Sequence, residues 1–454
     1  MIVTRELINK SITFRDSLNL DCPYTYMDLS KDIDAYKNLL QHKYNAVEGQ
    51  AVLIGEQSGR KQLALVFACL ELGLTITIVD YGRKDNFQTD YFDPKTTLLL
   101  PIHFFIVSTA EITDKFSFFN DACDTTIILA DEQLEYTPNQ TVNAKPDTIL
   151  LKCTSSGTTG TPKIVHHTHE FIFALVMRNA TMFDGVIGQA FNLSHGSSLA
   201  TFFLPTLFSS DVSEYINFTL DNTDLIIEKH RIDHLMLPYP DMLEVFVEQY
   251  NNFAHSGISL YSLTYIRDEW KEYIQDGKIK DIISFFGSNE TSGPTLINRV
   301  SYDDFNRQRY HKVDDFYGLE TRNTELIVTL PIYNTKIETK DEFLANNNTF
   351  VHLGRNNIHR INGRFFEETS YQRIVRDRLN GNLVFDFVNN RIYLAVWETA
   401  GNLEQKIDEM QEVLKQRSDD AHYISKYKVL SYEDFLSGIK LDQELLREYF
   451  RRHV

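Results

Sequence analysis

The chain has 454 residues, which at about 150 residues per domain is enough for two or three domains. Hydrophobic residues make up 43% and charged residues 24%, so a large core can form. A net charge of −18 argues against nucleic-acid binding as the main function. Four scattered cysteines (Cys22, Cys69, Cys123 and Cys153) include no CxxC pair, so no disulfide framework or zinc site is legible and a reducing, cytoplasmic setting fits.

The opening "MIVTRELINKSITFRD" has no apolar stretch after its charges and does not read as a signal peptide. From 51 onward the pattern is strand, helix, strand. "AVLIG" is a short apolar run. "GRKQLALVFACLELG" has apolar positions at helical spacing and stops at Gly73, and "LTITIVD" is a β-branched buried strand. "TTLLLPIHFFIVST" is among the most apolar runs but is too short to span a bilayer. "DTTIILAD" and "DTILLKCTS" continue the alternation, which predicts an α/β architecture with substantial parallel sheet. Residues 180–300 mix helices with short strands. A Gly/Asn-rich strip, "VHLGRNNIHRINGRFFE", is followed by strands "NLVFDFV" and "RIYLAVWE". Next comes a helix whose apolar positions Leu403, Ile407, Met410 and Leu414 share a face, then an amphipathic "DQELLREYFRRHV". This last part is a small α+β unit.

The chemistry-bearing stretch follows the strand "DTILLKC". "TSSGTTGTPK" places five Ser/Thr hydroxyls in its first six residues (Thr154, Ser155, Ser156, Thr158 and Thr159), with Gly157 and Gly160 between and after them and Lys163 at its end. Glycines let backbone N–H groups converge. With hydroxyls and a lysine they make an anion site, most plausibly for phosphate. The mononucleotide P-loop needs four residues between its first glycine and Gly-Lys, whereas only two separate Gly157 from Gly160. The adjoining "HHTH" has no carboxylate or cysteine nearby to complete a metal set.

"TSSGTTGTPKIVHHTH" resembles the phosphate-binding signature of the adenylate-forming superfamily, which comprises acyl-CoA synthetases, nonribosomal-peptide adenylation domains and luciferases. His169 stands at that signature's usual histidine. Further stretches are similar to the superfamily's motifs in the same order. "YTYMDLSKDIDAYKNLL" looks like its opening, a Thr-Tyr stretch before a helix. "FNLSHGSSLATFFLPTLFSS" looks like its acid-pocket segment, with His195 or Phe191 as the substrate-lining residue. If Phe191 is that aromatic, Asn192 replaces the aspartate that pairs with an amino-acid substrate's ammonium, which makes an α-amino acid substrate a poorer fit. "FFGSNE" resembles the aromatic-Gly-x-Thr-Glu motif. By resemblance Phe286 stacks on adenine, Gly287 is in place, Asn289 replaces threonine and Glu290 coordinates magnesium. The glycine-rich segment upstream is not evident, and "LTYIRDEW" stands there. "ETKDEF" resembles Thr-Gly-Asp, so Asp341 grips the ribose hydroxyls. Arg355 of "LGRNN" is the second ribose contact, and Asn357 is the hinge pivot. "GIKLDQ" is similar to the terminal Gly-Lys motif, which makes Lys440 the catalytic lysine. Lys426 and Lys428 are rival positions.

The resemblance implies a large N-terminal AMP-binding adenylation domain (1–356) with mixed and parallel sheets flanked by helices. A small α+β lid (357–454) is joined to it by a hinge. It implies ATP-dependent activation of a carboxylic acid, with Mg2+, followed by transfer to the thiol of coenzyme A. The alternative acceptor is an acyl carrier protein's pantetheine. A catalytically degenerate nucleotide-binding protein is the reading from another class. No nucleic-acid or integral-membrane partner is expected.

Overall fold

The computed structural model describes residues 1–16, 21–55, 59–78, 102–109, 123–155, 163–190, 198–218, 230–237, 257–262, 266, 270–275, 277, 279–306, 309–322, 324–346, 348–355, 358–361, 364–367, 381–386, 391–397, 405, 407–408, 424–430, 436–437, 440–441 and 443–453.

The predicted strand–helix–strand of the first hundred residues is present. Ala51–Gly55 and Thr75–Ile78 lie side by side and parallel, joined through the helix Arg60–Leu72. That helix is apolar around nearly its whole circumference, so it must be covered on all sides, and almost every residue in it is buried. It ends at Gly73, whose φ of 73° is left-handed. A Cβ there would come within 3.2 Å of the Ala144 backbone. Among the described residues the sheet has six strands, in the order Cys123–Ile128, Ile102–Val107, Ala51–Gly55, Thr75–Ile78, Ile149–Ser155 and Lys163–Thr168. All neighbours are parallel except the last pair, an antiparallel hairpin that carries the Gly/Thr loop.

A second sheet has thirteen described strands. Its parallel part runs through Ile279–Gly287, Ile258–Ser262, His234–Met236, Gly185–Gln189, Val212–Asn217 and Thr13–Asp16. From Ile279–Gly287 outward it turns antiparallel, through Pro294–Val300, Arg309–Lys312 and Thr349–Arg355 to Thr335–Asn346. One apolar cluster joins both sheets. It includes Val52 and Leu151 from the first, Phe285 and Phe286 from the second, and Phe67, Phe171 and Leu175 from the helices Arg60–Leu72 and His169–Ala180. The segment that stands where the resemblance expects a glycine-rich wall instead contributes Ile266 and Trp270 to a second apolar cluster, at 1% and 0% exposure.

The chain's first residues are stitched inside by charge. The Arg5 guanidinium makes a two-pronged contact with the Glu71 carboxylate and also pairs with Asp34 at 2.7 Å. The fully buried Lys37 ammonium meets Glu71 at 2.7 Å, and both cations also donate to the Asn139 carbonyl. Two positive and two negative groups therefore cancel, which is the condition for burying charge at all.

The large sheet's last strand in chain order ends at Arg355. Later strands form separate small sheets. Ile358–Ile361 pairs with Arg364–Glu367, and Gly381–Asp386, Arg391–Val396 and Ile424–Val429 form a three-stranded sheet. The helix Gln443–His453 packs Leu446 and Phe450 against Val384 and Tyr393 of that sheet. Of the helix predicted from Leu403 to Leu414, residues 405, 407 and 408 are helical, with Ile407 buried, and the others fall outside the described residues. Among the described residues no helix is long and apolar enough to cross a membrane.

Candidate active site

The Gly/Thr loop is held by the hairpin Ile149–Ser155 and Lys163–Thr168. Its register pairs Ser155 with Lys163, Thr154 with Ile164, and Cys153 with Val165, so the two ends of the loop meet across the ladder. Backbone positions are described for Thr154, Ser155 and Lys163. Ser156, Gly157, Thr158, Thr159 and Gly160 lie outside the described residues, as do Phe191, His195 and Asn357. The three histidines of "HHTH" diverge. His166 is exposed, His167 turns to the Asn289 carbonyl, and His169 accepts from the Val3 N–H at its Nδ1. They do not form a metal set.

The second element is the tight turn after the strand Ile279–Gly287. Gly287 is required by closeness of approach, because a Cβ there would lie 2.5 Å from the Gly293 carbonyl oxygen. Ser288 and Thr291 exchange hydrogen bonds across the turn, and the Thr291 hydroxyl also donates to the Gly293 carbonyl. Asn289 and Glu290 stand at its tip, half-buried. The hairpin and the turn touch. His167 Nε2 is 2.7 Å from the Asn289 carbonyl oxygen, and Cys153 Sγ is 4.0 Å from the same atom. The Glu290 carboxylate acts on both neighbours. Burial pushes the Cys153 thiol up to about 12, and Glu290 adds to the rise. Burial brings His167 down to about 4, against the opposing pull of the Asn289 carbonyl and Glu290. The imidazole is therefore neutral near pH 7, and because a carbonyl can only accept, Nε2 carries the proton.

The third element is the antiparallel pair Thr335–Asn346 and Thr349–Arg355, whose register sets Asp341 directly opposite Arg355. Asp341 is buried, and its backbone N–H donates to Thr339 Oγ1, which donates onward to the Leu326 carbonyl. His352, on the facing strand, approaches Asp341 Oδ1 to 3.5 Å with its Nε2. The His352 ring lies edge-on to Phe343 at 4.7 Å and 6.1 Å from Phe286. Phe286 in turn meets Phe343 edge-to-face at 5.0 Å. Phe286, His352 and Asp341 thus form one continuous patch beside the Glu290 turn. Sequence reading passed over His352. Its signal was its position three residues before Arg355, an ionisable ring in a strand already singled out.

Lys440 opens the second strand of a short hairpin, Leu436–Ser437 with Lys440–Leu441, where it pairs with Ser437 just before the helix Gln443–His453. The rival Lys428 lies over the Tyr449 ring at 5.8 Å, a packing contact within the C-terminal part. Lys426 lies on the same strand, Ile424–Val429.

Among the described residues no three His, Cys, Asp or Glu side chains converge as a metal cage. Magnesium that arrives with a nucleotide is typically held by one or two carboxylates and the phosphate oxygens. Glu290 would supply the carboxylate.

A loop-bearing hairpin is thus joined to a carboxylate turn on a two-sheet α/β core, an arrangement of the α/β class. A family model described as AMP-binding enzyme matches residues 11–331. The chain belongs to the AMP-binding enzyme family. No curated protein matches its sequence significantly. Solved structures share the fold at low identity. An o-succinylbenzoate CoA synthetase double mutant from Bacillus subtilis, bound with a product analogue, superposes with a TM-score of 0.70 at 15% identity, covering 98% of this chain and 96% of that one. An artificially fused adenylation–carrier di-domain from Klebsiella oxytoca gives 0.66 at 15%, covering 93% and 91%. The E. coli o-succinylbenzoate enzyme MenE, with a bound analogue, gives 0.61 at 15%, covering 99% and 98%.

Proposed function

We propose that the protein activates a carboxylic acid with ATP and passes the acyl group to a thiol, that of coenzyme A. In the first half-reaction a carboxylate oxygen attacks the α-phosphorus, and the bond to the β-phosphate oxygen breaks. The products are an acyl-adenylate and pyrophosphate. In the second, a thiolate attacks the acyl carbon and AMP leaves. The observation that carries this reading is the 2.7 Å bond from His167 to the Asn289 carbonyl, which joins the loop hairpin to the Glu290 turn. Phosphate donors and a carboxylate for the phosphates' metal then share one location.

In this reading the loop N–H groups and hydroxyls with Lys163 hold the β- and γ-phosphates, and Asp341 accepts from the ribose hydroxyls with Arg355 beside it. Phe286 stacks on adenine, with the His352 ring alongside at 6.1 Å. Glu290 would hold magnesium, whose chemistry there would be to offset negative charge on the phosphates. Lys440 reaches across the reacting carboxylate and α-phosphate, and alignment and charge stabilisation supply the rate. His195 and Phe191 line the acid pocket. The division into 1–356 and 357–454, pivoting at Asn357, is supported by the large sheet ending at Arg355 and by the separate small sheets beyond it. A rotation of the small part would withdraw Lys440 and admit the thiol. The protein is proposed to work in the cytoplasm.

The test is ATP–pyrophosphate exchange over a panel of acids, with hydroxylamine trapping of the adenylate. Exchange with at least one acid is expected, and ATP binding with no exchange for any acid would leave the degenerate nucleotide-binding reading. The fold relatives include both a CoA synthetase and a carrier-linked adenylation domain. Thioester formed with coenzyme A alone supports the first acceptor, and formation only with a pantetheinylated carrier protein supports the second.

A further inference from the structure

We infer that His167 is a positioning residue that fastens the Asn289–Glu290 turn to the hairpin Ile149–Ser155 and Lys163–Thr168, and so sets where the Glu290 carboxylate stands relative to the strand ends that carry the Gly/Thr loop. The inference rests on the roles proposed above for the loop and for Glu290.

His167 sits on the strand Lys163–Thr168, four residues after the lysine that closes the loop, and its ring is 1% exposed. The ring stacks on Phe171 at 5.2 Å and 15°, and Phe171 stacks on Tyr333 at 5.2 Å. Tyr333 is itself fixed, because its hydroxyl accepts from the Thr168 N–H at 3.0 Å. The imidazole therefore has little freedom. Its one hydrogen bond goes from Nε2 to the Asn289 carbonyl at 2.7 Å, while the buried Nδ1 has no hydrogen-bond partner among the described residues.

That arrangement is informative. An apolar side chain of similar size would fill the same space without leaving an unpaired buried nitrogen, so packing alone does not call for histidine here. What histidine adds is the bond to the carbonyl of the peptide that leads into Glu290. A peptide unit is planar, so holding that oxygen restrains the positions of the Glu290 N and Cα, from which the carboxylate side chain extends. Beyond Glu290 the Thr291 N–H donates to the Ser288 carbonyl at 3.2 Å, and one peptide further on the Tyr317 hydroxyl donates to the Thr291 carbonyl at 2.7 Å. The turn is thus pinned at the Asn289 and Thr291 carbonyls. One pin belongs to the large sheet's own periphery, and the other belongs to the hairpin of the Gly/Thr loop. Only the second couples the carboxylate to the loop.

The test compares His167→Leu, His167→Asn and His167→Gln in the full chain, with Kd for ATP measured with and without Mg2+ and with thermal unfolding midpoints. A glutamine amide nitrogen reaches about where Nε2 stands, whereas an asparagine amide reaches only as far as Nδ1. Loss of one hydrogen bond predicts a rise of about tenfold in Kd for Mg2+-ATP in His167→Leu and His167→Asn. Metal-free ATP should weaken less, and His167→Gln should return to within about threefold of wild type. The His167→Leu unfolding midpoint should equal or exceed that of wild type. Unchanged Mg2+-ATP affinity in His167→Leu overturns the inference. So does a parallel loss of affinity and midpoint in all three variants, which marks a purely structural ring. Glu290→Gln separates the two layers of the argument. If it leaves the Mg2+-dependent gain in affinity intact, the proposed role of Glu290 fails. If it abolishes that gain while His167→Leu does not diminish it, only the inference about His167 fails.

Discussion

At the scale of single residues, Asp341 and His352 form a pair whose contributions can be separated. Asp341→Asn removes the charge proposed to receive the ribose hydroxyls. ATP KM should rise about tenfold or more, by the 1.5–3 kcal/mol that hydrogen bonds to charged groups typically contribute, while the acid KM changes little. His352→Phe keeps a ring against Phe343 and Phe286 and removes the approach to Asp341, so its cost should be about 1 kcal/mol, several-fold in the same KM. Steady-state exchange kinetics check both. The lysines divide likewise. Lys440→Ala should lower adenylation about a hundredfold or more if it meets the developing charge. Lys428→Ala should leave adenylation near wild type and cost at most about 1 kcal/mol in stability, from its contact with Tyr449. Equal losses in both would remove Lys440 from its proposed role. Glu290, Asp341 and Arg355 could be singled out in the sequence as candidates because each stands in an ordered motif. His352 and His167 were not, because what marks them is a contact across strands far apart in sequence, which no linear spacing encodes.

At the scale of elements, the turn after Ile279–Gly287 shows why one glycine matters. Gly287→Ala drives a methyl into the Gly293 carbonyl, so the turn must shift, and Asn289 and Glu290 shift with it. Loss of most ATP–pyrophosphate exchange is expected, with a modest fall in unfolding midpoint. Retention of full exchange would show that the turn tolerates movement. The elements of the first sheet were readable because period, length and punctuation agree. "AVLIG", the helix closed by Gly73, and the described part of "LTITIVD", Thr75–Ile78, fall where predicted. The turn to antiparallel pairing, which begins between Ile279–Gly287 and Pro294–Val300, was not readable, because pairing partners are chosen by packing against the shared core. The stretch around Trp270 is a similar case. It was noted only as lacking a glycine-rich motif, and it turns out to hold an apolar cluster together.

At the scale of the whole molecule, the Arg5–Asp34–Lys37–Glu71 network ties the first segment to two helices and to the 139 region. Glu71→Gln leaves two buried cations facing one carboxylate, and about 3 kcal/mol of stability should be lost at pH 7. The pH dependence has a definite sign. Burial alone would push the Glu71 carboxyl up, but Arg5 and Lys37 more than offset this and hold it below the usual carboxylate range. Its stabilising contribution is therefore complete above the unfolded-state carboxylate pKa and fades as pH falls through the lower folded value. The gap in denaturation midpoint between wild type and Glu71→Gln should be full at neutral pH and close below about pH 4. A gap independent of pH would assign the cost to shape and not to charge.

The same first segment also sets a schedule. Asn9 donates to the Ser209 and Val212 carbonyls, Thr13–Asp16 runs parallel to Val212–Asn217 along its whole length, and Val3 waits for His169. Some 200 residues separate Asn9 from Ser209. On a ribosome adding about 5–20 residues per second, that stretch stays without its partners for roughly 10–40 s. Pairings this remote are slow to close and leave apolar strand edges open meanwhile. Newly made chains should therefore depend on a holding chaperone until residue 217 has emerged, and translation halted just before the strand Val212–Asn217 should yield a protease-sensitive N-terminus.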